Sequence, residues 1–196
     1  MDFYDIPDSK IDVVPNAANE LYYVLSEQES EIAKQQLTHG KDYFYYVGAV
    51  HKRKNIINLF KAFDLFKDKT GSEVKLVIVG TRKQWRGELE TVFNSLKHKR
   101  DIIFTGRLEA KNINKIANGA LALTFVSQFE GFGIPIVEAF AAGCPVITSN
   151  TTSMPEVGGD AAIYCDPFLP QSISDAMEMI FSSPSLRDEL REKGFE

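Results

Sequence analysis

Apolar residues along this chain fall into short unbroken runs separated by longer stretches with helical spacing, and the two kinds alternate. Residues 43–50 (Tyr-Phe-Tyr-Tyr-Val-Gly-Ala-Val) open with a dense aromatic and β-branched run, as expected of a strand buried on both faces. Residues 74–79, 102–104, 120–126, 145–149 and 162–164 repeat that pattern. Between the runs, Ile56, Leu59, Phe60, Phe63 and Phe66 recur at helical spacing, predicting a helix over 55–69 that closes near Gly71. Leu89, Val92, Phe93 and Leu96 do the same over 88–97, and further helices are expected over 109–117, 133–142, 171–181 and 185–193. A brief helix over 30–37 precedes the first strand, and residues 11–16 read as a short extended piece stopped by Pro15 and Asn16. Residues 1–10 are polar and turn-rich. Strand and helix alternating in this way predict an α/β fold: a doubly wound, Rossmann-like parallel sheet with helices on both faces. Ligands in such sheets bind at the carboxyl ends of the strands, and the glycine loops after Val47, Val79 and Phe129 all fall on that edge.

One of those loops stands out chemically. Glu130-Gly-Phe-Gly-Ile-Pro-Ile-Val-Glu138 sets two carboxylates around a glycine turn that opens an apolar helix. Gly131 and Gly133 permit close backbone approach to a ligand, and the first amides of the helix lack internal partners, which suits an anion. A second loop, 48–55, joins a buried strand to a helix and carries His51, Lys52, Arg53 and Lys54 in succession. Such a group can neutralise a diphosphate, the guanidinium adding directed donors and the ammonium a compact charge. Taken alone, the run also reads as a solvated charge cluster. A phosphate-bearing sugar fits both loops, with phosphates for the amides and hydroxyls for the acids.

The Glu-Gly-Phe-Gly-x-Pro-x-x-Glu-Ala segment resembles the E-x7-E motif of retaining glycosyltransferases of the GT-B fold, family 4 (group 1). Tyr46-Val-Gly-Ala-Val-His-Lys-Arg-Lys-Asn-Ile56 is similar to that family's glycine loop, and the likeness continues through Leu76 to Gly80, Ile103 to Leu108 and Ser149 to Asp160. The resemblance implies a donor-binding C-terminal domain that takes a nucleoside-diphosphate sugar, GDP- or UDP-linked, and transfers a hexose with retention. It implies catalytic roles for Glu130, Lys54 and Arg53. It further implies donor binding by Gly48, Lys54, Arg107, Gly131, Phe132, Gly133, Ile134 and Glu138, with Lys54 on the diphosphate, Glu138 on the ribose diol and Glu130 toward the transferred sugar. Many relatives carry an Arg directly after the loop glycine; here that position is Ala49, so that phosphate contact is either missing or supplied by Arg53. Residues 1–40 are then the interdomain segment and the start of the domain, and 41–196 the donor domain. The N-terminal acceptor domain is expected to be absent, so that this fragment binds donor but turns it over poorly or not at all. Relatives handling mannose or deoxyhexoses in cell-surface polysaccharide assembly have the most similar loop. Two rival readings share the fold: a non-catalytic nucleotide or phosphosugar-binding module, and a sugar-nucleotide epimerase fragment.

Bulk properties narrow the choice further. With 22 basic against 27 acidic side chains the net charge is −5, which argues against non-specific nucleic-acid binding. No apolar run approaches the ~20 residues of a membrane span, and no signal peptide opens the chain. A cytoplasmic location is expected, with peripheral contact at the inner face of the membrane allowed. Cys144 and Cys165 read as buried free thiols, and His39, His51 and His98 lack metal spacing. The absence of an Asp-x-Asp pair removes the usual ligands of a divalent clamp, so neither metal nor cofactor is expected. Thr81 and Arg82 are cleft-edge candidates, Glu156 is expected to bond loop amides near Gly158 and Gly159, and His98 to be solvated on a helix face.

Overall fold

The computed structural model describes residues 7–49, 51–81 and 87–196. Among these, six parallel strands form one sheet: β1 (Tyr43–Val47), β2 (Lys75–Val79), β3 (Ile102–Gly106), β4 (Ala122–Phe125), β5 (Val146–Ser149) and β6 (Ala162–Cys165). Their spatial order is β3-β2-β1-β4-β5-β6. The helices are α1 (Glu27–Thr38), α2 (Ile56–Thr70), α3 (Glu88–Ser95), α4 (Ala110–Gly119), α5 (Ile134–Ala141), α6 (Met154–Gly158), α7 (Pro170–Ser182) and α8 (Pro184–Gly194). The chain winds outward from β1 through β2 to β3, then crosses back to β4 on the other side of β1. Connections therefore diverge between β1 and β4, where an open parallel sheet leaves a crevice.

β1 explains the layering. Its side chains alternate, and all of Tyr43 to Tyr46 are buried, so one strand feeds two cores. Phe44 and Tyr46 join Leu59, Phe60, Phe63 and Phe66 of α2, Phe93 of α3 and Met177 of α7. Tyr43 and Tyr45 join Ile116 and Ala117 of α4, Ile136, Ala139 and Phe140 of α5 and Met154 of α6. The first core is aromatic: Phe44 meets Phe66 edge-on at 5.6 Å, and Phe93 meets both Phe60 and Phe104 at 5.6 Å. Each such pair adds about 0.5–1.5 kcal/mol beyond its burial. The hydroxyl of Tyr43, buried in the second core, donates to Ile116 O at 2.8 Å and so carries no desolvation penalty.

The expected elements are present with shifted ends, and the shifts have local causes. β1 stops at Val47 instead of running to 50, because Gly48 turns with φ 148° while its amide still bonds Val79 O at 3.1 Å. A Cβ on Gly80 would lie 2.7 Å from Gly48 O, which requires glycine at 80, while the positive φ and the Tyr46 hydroxyl, 3.0 Å from a Cβ, favour it at 48. α1 starts three residues before the expected 30, set by a capping box in which Ser26 and Glu29 exchange bonds. That Ser-x-x-Glu signature is legible in the sequence. Residues 19–38 pack against the domain body: Tyr22 is buried, and Asn114 and Asn118 of α4 accept from the Tyr23 and Leu25 amides. Residues 11–16 pair with no strand among the described residues, and Val13 and Val14 are exposed.

Two expectations are corrected. The stretch read as a loop around Glu156 is the helix α6, begun by Pro155 in its first turn; Glu156 is exposed on it and bonds no amide among the described residues. His98 lies in a turn before β3, not on a helix face, and is only partly exposed: its amide donates to Asp64 and its Nε2 lies 2.9 Å from Asp68 Oδ1. Cys144 and Cys165 are buried free thiols, each pushed up to about 12 by burial, so both are unreactive. No helix among the described residues is long and apolar enough to cross a membrane.

Candidate functional site

Three elements converge at the carboxyl edge where β1 and β4 diverge. After β1, the 48–55 loop makes one short 3-10 turn at Lys52–Lys54 and enters α2 through Asn55. Asn55 holds a left-handed conformation, φ 59°, and is 4% exposed. Its Nδ2 donates to Val126 O at 3.0 Å and to Pro167 O at 2.6 Å, while its Oδ1 accepts from Gln128 Nε2 at 3.2 Å. The Gln128 amide in turn donates to Arg53 O at 2.8 Å. This ties the basic loop to the end of β4 and to the segment after β6.

The 129–133 turn is fixed from its other side by the loop after β5. The Glu130 amide donates to Thr152 Oγ1 at 3.3 Å, and Ser153 Oγ donates to Glu130 O at 3.0 Å and Phe132 O at 2.8 Å. Thr152 holds a left-handed φ of 53°, unusual for a β-branched residue and the kind of strain that gathers at functional sites. Gly133, with φ 109°, is the N-cap of α5, and a Cβ there would meet Ile136 Cδ1 at 3.1 Å.

These clamps bring Glu130, Lys54 and Arg53 together. Lys54 Nζ lies 2.6 Å from Glu130 Oε1, and Arg53 Nη1 lies 2.8 Å from Oε2 and 3.3 Å from Phe129 O. Lys54 also sits 4.9 Å over the Phe125 ring, a cation–π contact. Burial alone would raise the Glu130 carboxyl, but contacts from Lys54, Ser127 and Arg53 outweigh it and hold the group below the usual carboxylate range. The carboxylate is therefore ionised at neutral pH. Beside it, the amides of Gly131, Phe132, Gly133 and Ile134 have no acceptor among the described residues. Two cations, four free amides and a helix N-terminus form a compact electropositive edge with one carboxylate inside it.

Glu138 is placed differently. It lies in the second turn of α5, half-buried, and burial raises its carboxyl while a hydrogen bond from the buried Tyr22 hydroxyl works against the rise. Tyr22 comes from the segment ahead of α1, a partner no local pattern announces. Arg107 follows edge strand β3, exposed and without an ion pair among the described residues, so it is not gathered with the Lys54 group. Gly48 shapes the loop through its turn, and Ala49 offers only its carbonyl, which accepts from the Tyr46 hydroxyl at 3.1 Å. Thr81 ends the described segment after β2, and Arg82 lies outside the described residues. Asn55, Gln128, Thr152 and Ser153 were not among the expected site residues. The Thr-Thr-Ser run after a buried strand on the ligand edge was the available signal for the last two.

Among the described residues no group of three or more His, Cys, Asp or Glu side chains could hold a metal ion. A polar cavity of about 300 Å³ lies at the opposite, amino edge, lined by Lys67, Lys75, His98 and Asp101 among others. There Lys67 and Lys75 both pair with Asp101, and Lys67 also bonds the Ser72 and Val74 carbonyls, so this is a closed structural network.

The chain is similar to known proteins in sequence and in fold. O-antigen chain mannosyltransferase B from Escherichia coli is 32% identical over 156 residues, covering 80% of this chain and 39% of the relative. O-antigen chain mannosyltransferase RfbU from Salmonella typhimurium is 28% identical over 181 residues, covering 92% of this chain and 47% of the relative. The chain thus spans less than half the length of these curated relatives. A crystal structure of the C-terminal domain of a glycosyl transferase group 1 family protein (LpcC) from Francisella tularensis matches with a TM-score of 0.76 at 22% identity. It covers 92% of this chain and 95% of that domain, so the fold is the same. The family model described as glycosyl transferases group 1 matches residues 27–196, through both glycine loops and both acids, and the chain belongs to that family.

Proposed function

We propose that this domain binds a nucleoside-diphosphate sugar, GDP- or UDP-linked, as the donor half of a retaining hexosyltransferase that builds a polysaccharide or glycoconjugate. The observation that carries the reading is the grouping of Lys54, Arg53 and the four free amides from Gly131 to Ile134 at the β1/β4 crevice. In this reading the diphosphate rests on those cations and amides, the ribose hydroxyls donate to Glu138, and the sugar projects toward Glu130. In the transfer, the bond from the anomeric carbon to the diphosphate oxygen breaks and a bond to the acceptor oxygen forms on the same face. The acceptor proton passes to the departing phosphate. Charge growing on the leaving group is met by donors already in place, each worth about 3 kcal/mol when preorganised. The acceptor is expected to enter from a second, N-terminal domain, and the whole protein to work at the inner face of the membrane; this domain alone then binds without turnover.

Titration calorimetry with UDP, GDP and ADP, and with their hexose conjugates, tests the reading. At least one nucleoside diphosphate binds without added metal and binds equally well in EDTA. Binding abolished by chelation would overturn the metal-free assignment, and no binding by any of them would overturn the donor site.

Glu138→Gln separates ribose recognition from folding. A carboxyl raised by burial contributes most to the fold below its unfolded value, where it is neutral, and that contribution is lost as pH rises through the folded value. The amide variant therefore melts at or above the parent at neutral pH, and the gap closes as pH falls below the carboxylate range. Its affinity for nucleoside diphosphate falls by about 1–3 kcal/mol. Melting curves across pH, with calorimetry on the same samples, check both signs; parent-like affinity sinks the ribose assignment.

A further inference from the structure

We propose that Glu130 is a specificity-determining residue: a built-in counter-anion that an incoming diphosphate must displace, so that the site prefers a glycosylated nucleoside diphosphate to the free one. The inference rests on the reading of this edge as a donor site and adds what selects between donor and product. Lys54 and Arg53, the cations gathered here among the described side chains, are both engaged by the two oxygens of this one carboxylate, at 2.6 and 2.8 Å. The carboxylate is only 10% exposed and the Lys54 ammonium only 14%, so their attraction is weakly screened. Arg53, at 49%, is the solvent-facing partner and the one an arriving ligand meets first.

Glu130 cannot withdraw by moving its backbone, because Thr152 holds its amide and Ser153 its carbonyl. When a diphosphate takes the cations, the carboxylate stays beside it, ionised and without its partners. With a free nucleoside diphosphate bound, that leaves two like charges facing each other and a buried acceptor unsatisfied. A sugar on the terminal phosphate brings hydroxyl donors to the same place and removes the penalty. The preference is thus set by what the ligand returns to Glu130 after taking Lys54 and Arg53 away. Once the sugar has left, the penalty reappears and favours release of the free diphosphate.

Calorimetry on the parent, Glu130→Gln and Glu130→Asp tests this with GDP, UDP, GDP-mannose and UDP-glucose, and Glu156→Gln serves as a surface control. Removing the charge tightens binding of the free diphosphate at least about fivefold, the equivalent of about 1 kcal/mol of ion pairing. It leaves the nucleotide sugar unchanged or weaker, so the ratio of sugar to free affinity falls. Glu130→Asp, one methylene shorter, holds one cation in place of two and gives an intermediate ratio; it also answers the question if the Gln variant fails to fold. A folded Glu130→Gln protein that binds the free diphosphate no tighter than the parent overturns the inference while leaving the donor site standing. Absence of binding to the parent and both Glu130 variants overturns the donor site itself.

Discussion

Lys54→Ala weakens binding of nucleoside diphosphate by about tenfold or more, while any binding of the nucleoside alone is unchanged. The ammonium lies at the carboxyl end of β1 beside the free amides of the 131–134 turn, so a diphosphate bridging the two loops meets it directly. A charge-assisted contact of this kind contributes roughly 1.5–3 kcal/mol. The substitution also has a cost in the free protein. Glu130, nearly buried, keeps Ser127 and, as its one cation among the described residues, the half-exposed guanidinium of Arg53, and its carboxyl moves back toward the value that burial imposes. The native carboxyl is held low, so its contribution to stability is present above the unfolded value and lost as pH falls through the folded one. The variant therefore loses part of its stability at neutral pH and less in acid. Calorimetry with GDP, UDP and the nucleosides, paired with melting curves at neutral and acid pH, reads both effects. Lys52→Ala removes the same charge from the same loop and serves as the control; equal losses in the two variants would reduce Lys54 to one of several interchangeable charges.

Asn55→Ala unfolds more easily than the parent by about 4–5 kcal/mol, from three lost hydrogen bonds of roughly 1 kcal/mol each and left-handed strain of about 1–2 kcal/mol. Asn55 closes three contacts at once, to Val126 O, Pro167 O and Gln128, from a position 4% exposed. Alanine takes this donor from Val126 O, leaves Pro167 O to Asn58 alone, frees the part-buried Gln128 side-chain amide and must still adopt φ 59°. Asn55→Gly relieves the backbone strain but not the lost bonds, so it falls between parent and alanine. Both variants weaken diphosphate binding, because the loop that presents Arg53 and Lys54 is then tied to the end of β4 by fewer bonds, the Gln128 backbone amide to Arg53 O among those that remain. Urea denaturation of the three proteins measures the series. An alanine variant within about 0.5 kcal/mol of the parent, the range of an ordinary surface change, would show that the loop holds its shape without Asn55.

Much of this molecule is local in origin, and that part is legible in the chain. Unbroken apolar runs such as Tyr43 to Val47 can be satisfied only by burial on both faces, and Ile56, Leu59, Phe60, Phe63 and Phe66 repeat at the helical period. Alternation of the two determines a doubly wound sheet. Handedness and chain order then put the glycine loops on one edge. The basic loop and the acidic glycine turn were recognisable for the same reason, since each is a contiguous segment whose chemistry does not wait for a partner. The capping box at Ser26 and Glu29 is equally local, and it starts the helix three residues before the apolar pattern does.

What only the tertiary structure decided is who meets whom. Arg53 and Glu130 are 77 positions apart, and Asn55 and Pro167 are 112 apart; no periodicity connects them. The structure placed Tyr22 against Glu138, left Arg107 exposed at the edge, and gave the clamping of the Glu130 turn to Thr152 and Ser153. It also gave the part-exposed His98 its partners, Asp64 for the amide and Asp68 for the ring. The reason is that side-chain periodicity and turn chemistry act over a few residues, whereas a buried polar group is satisfied by whatever the packed sheet brings within about 3 Å. That partner exists only once the strands are in register.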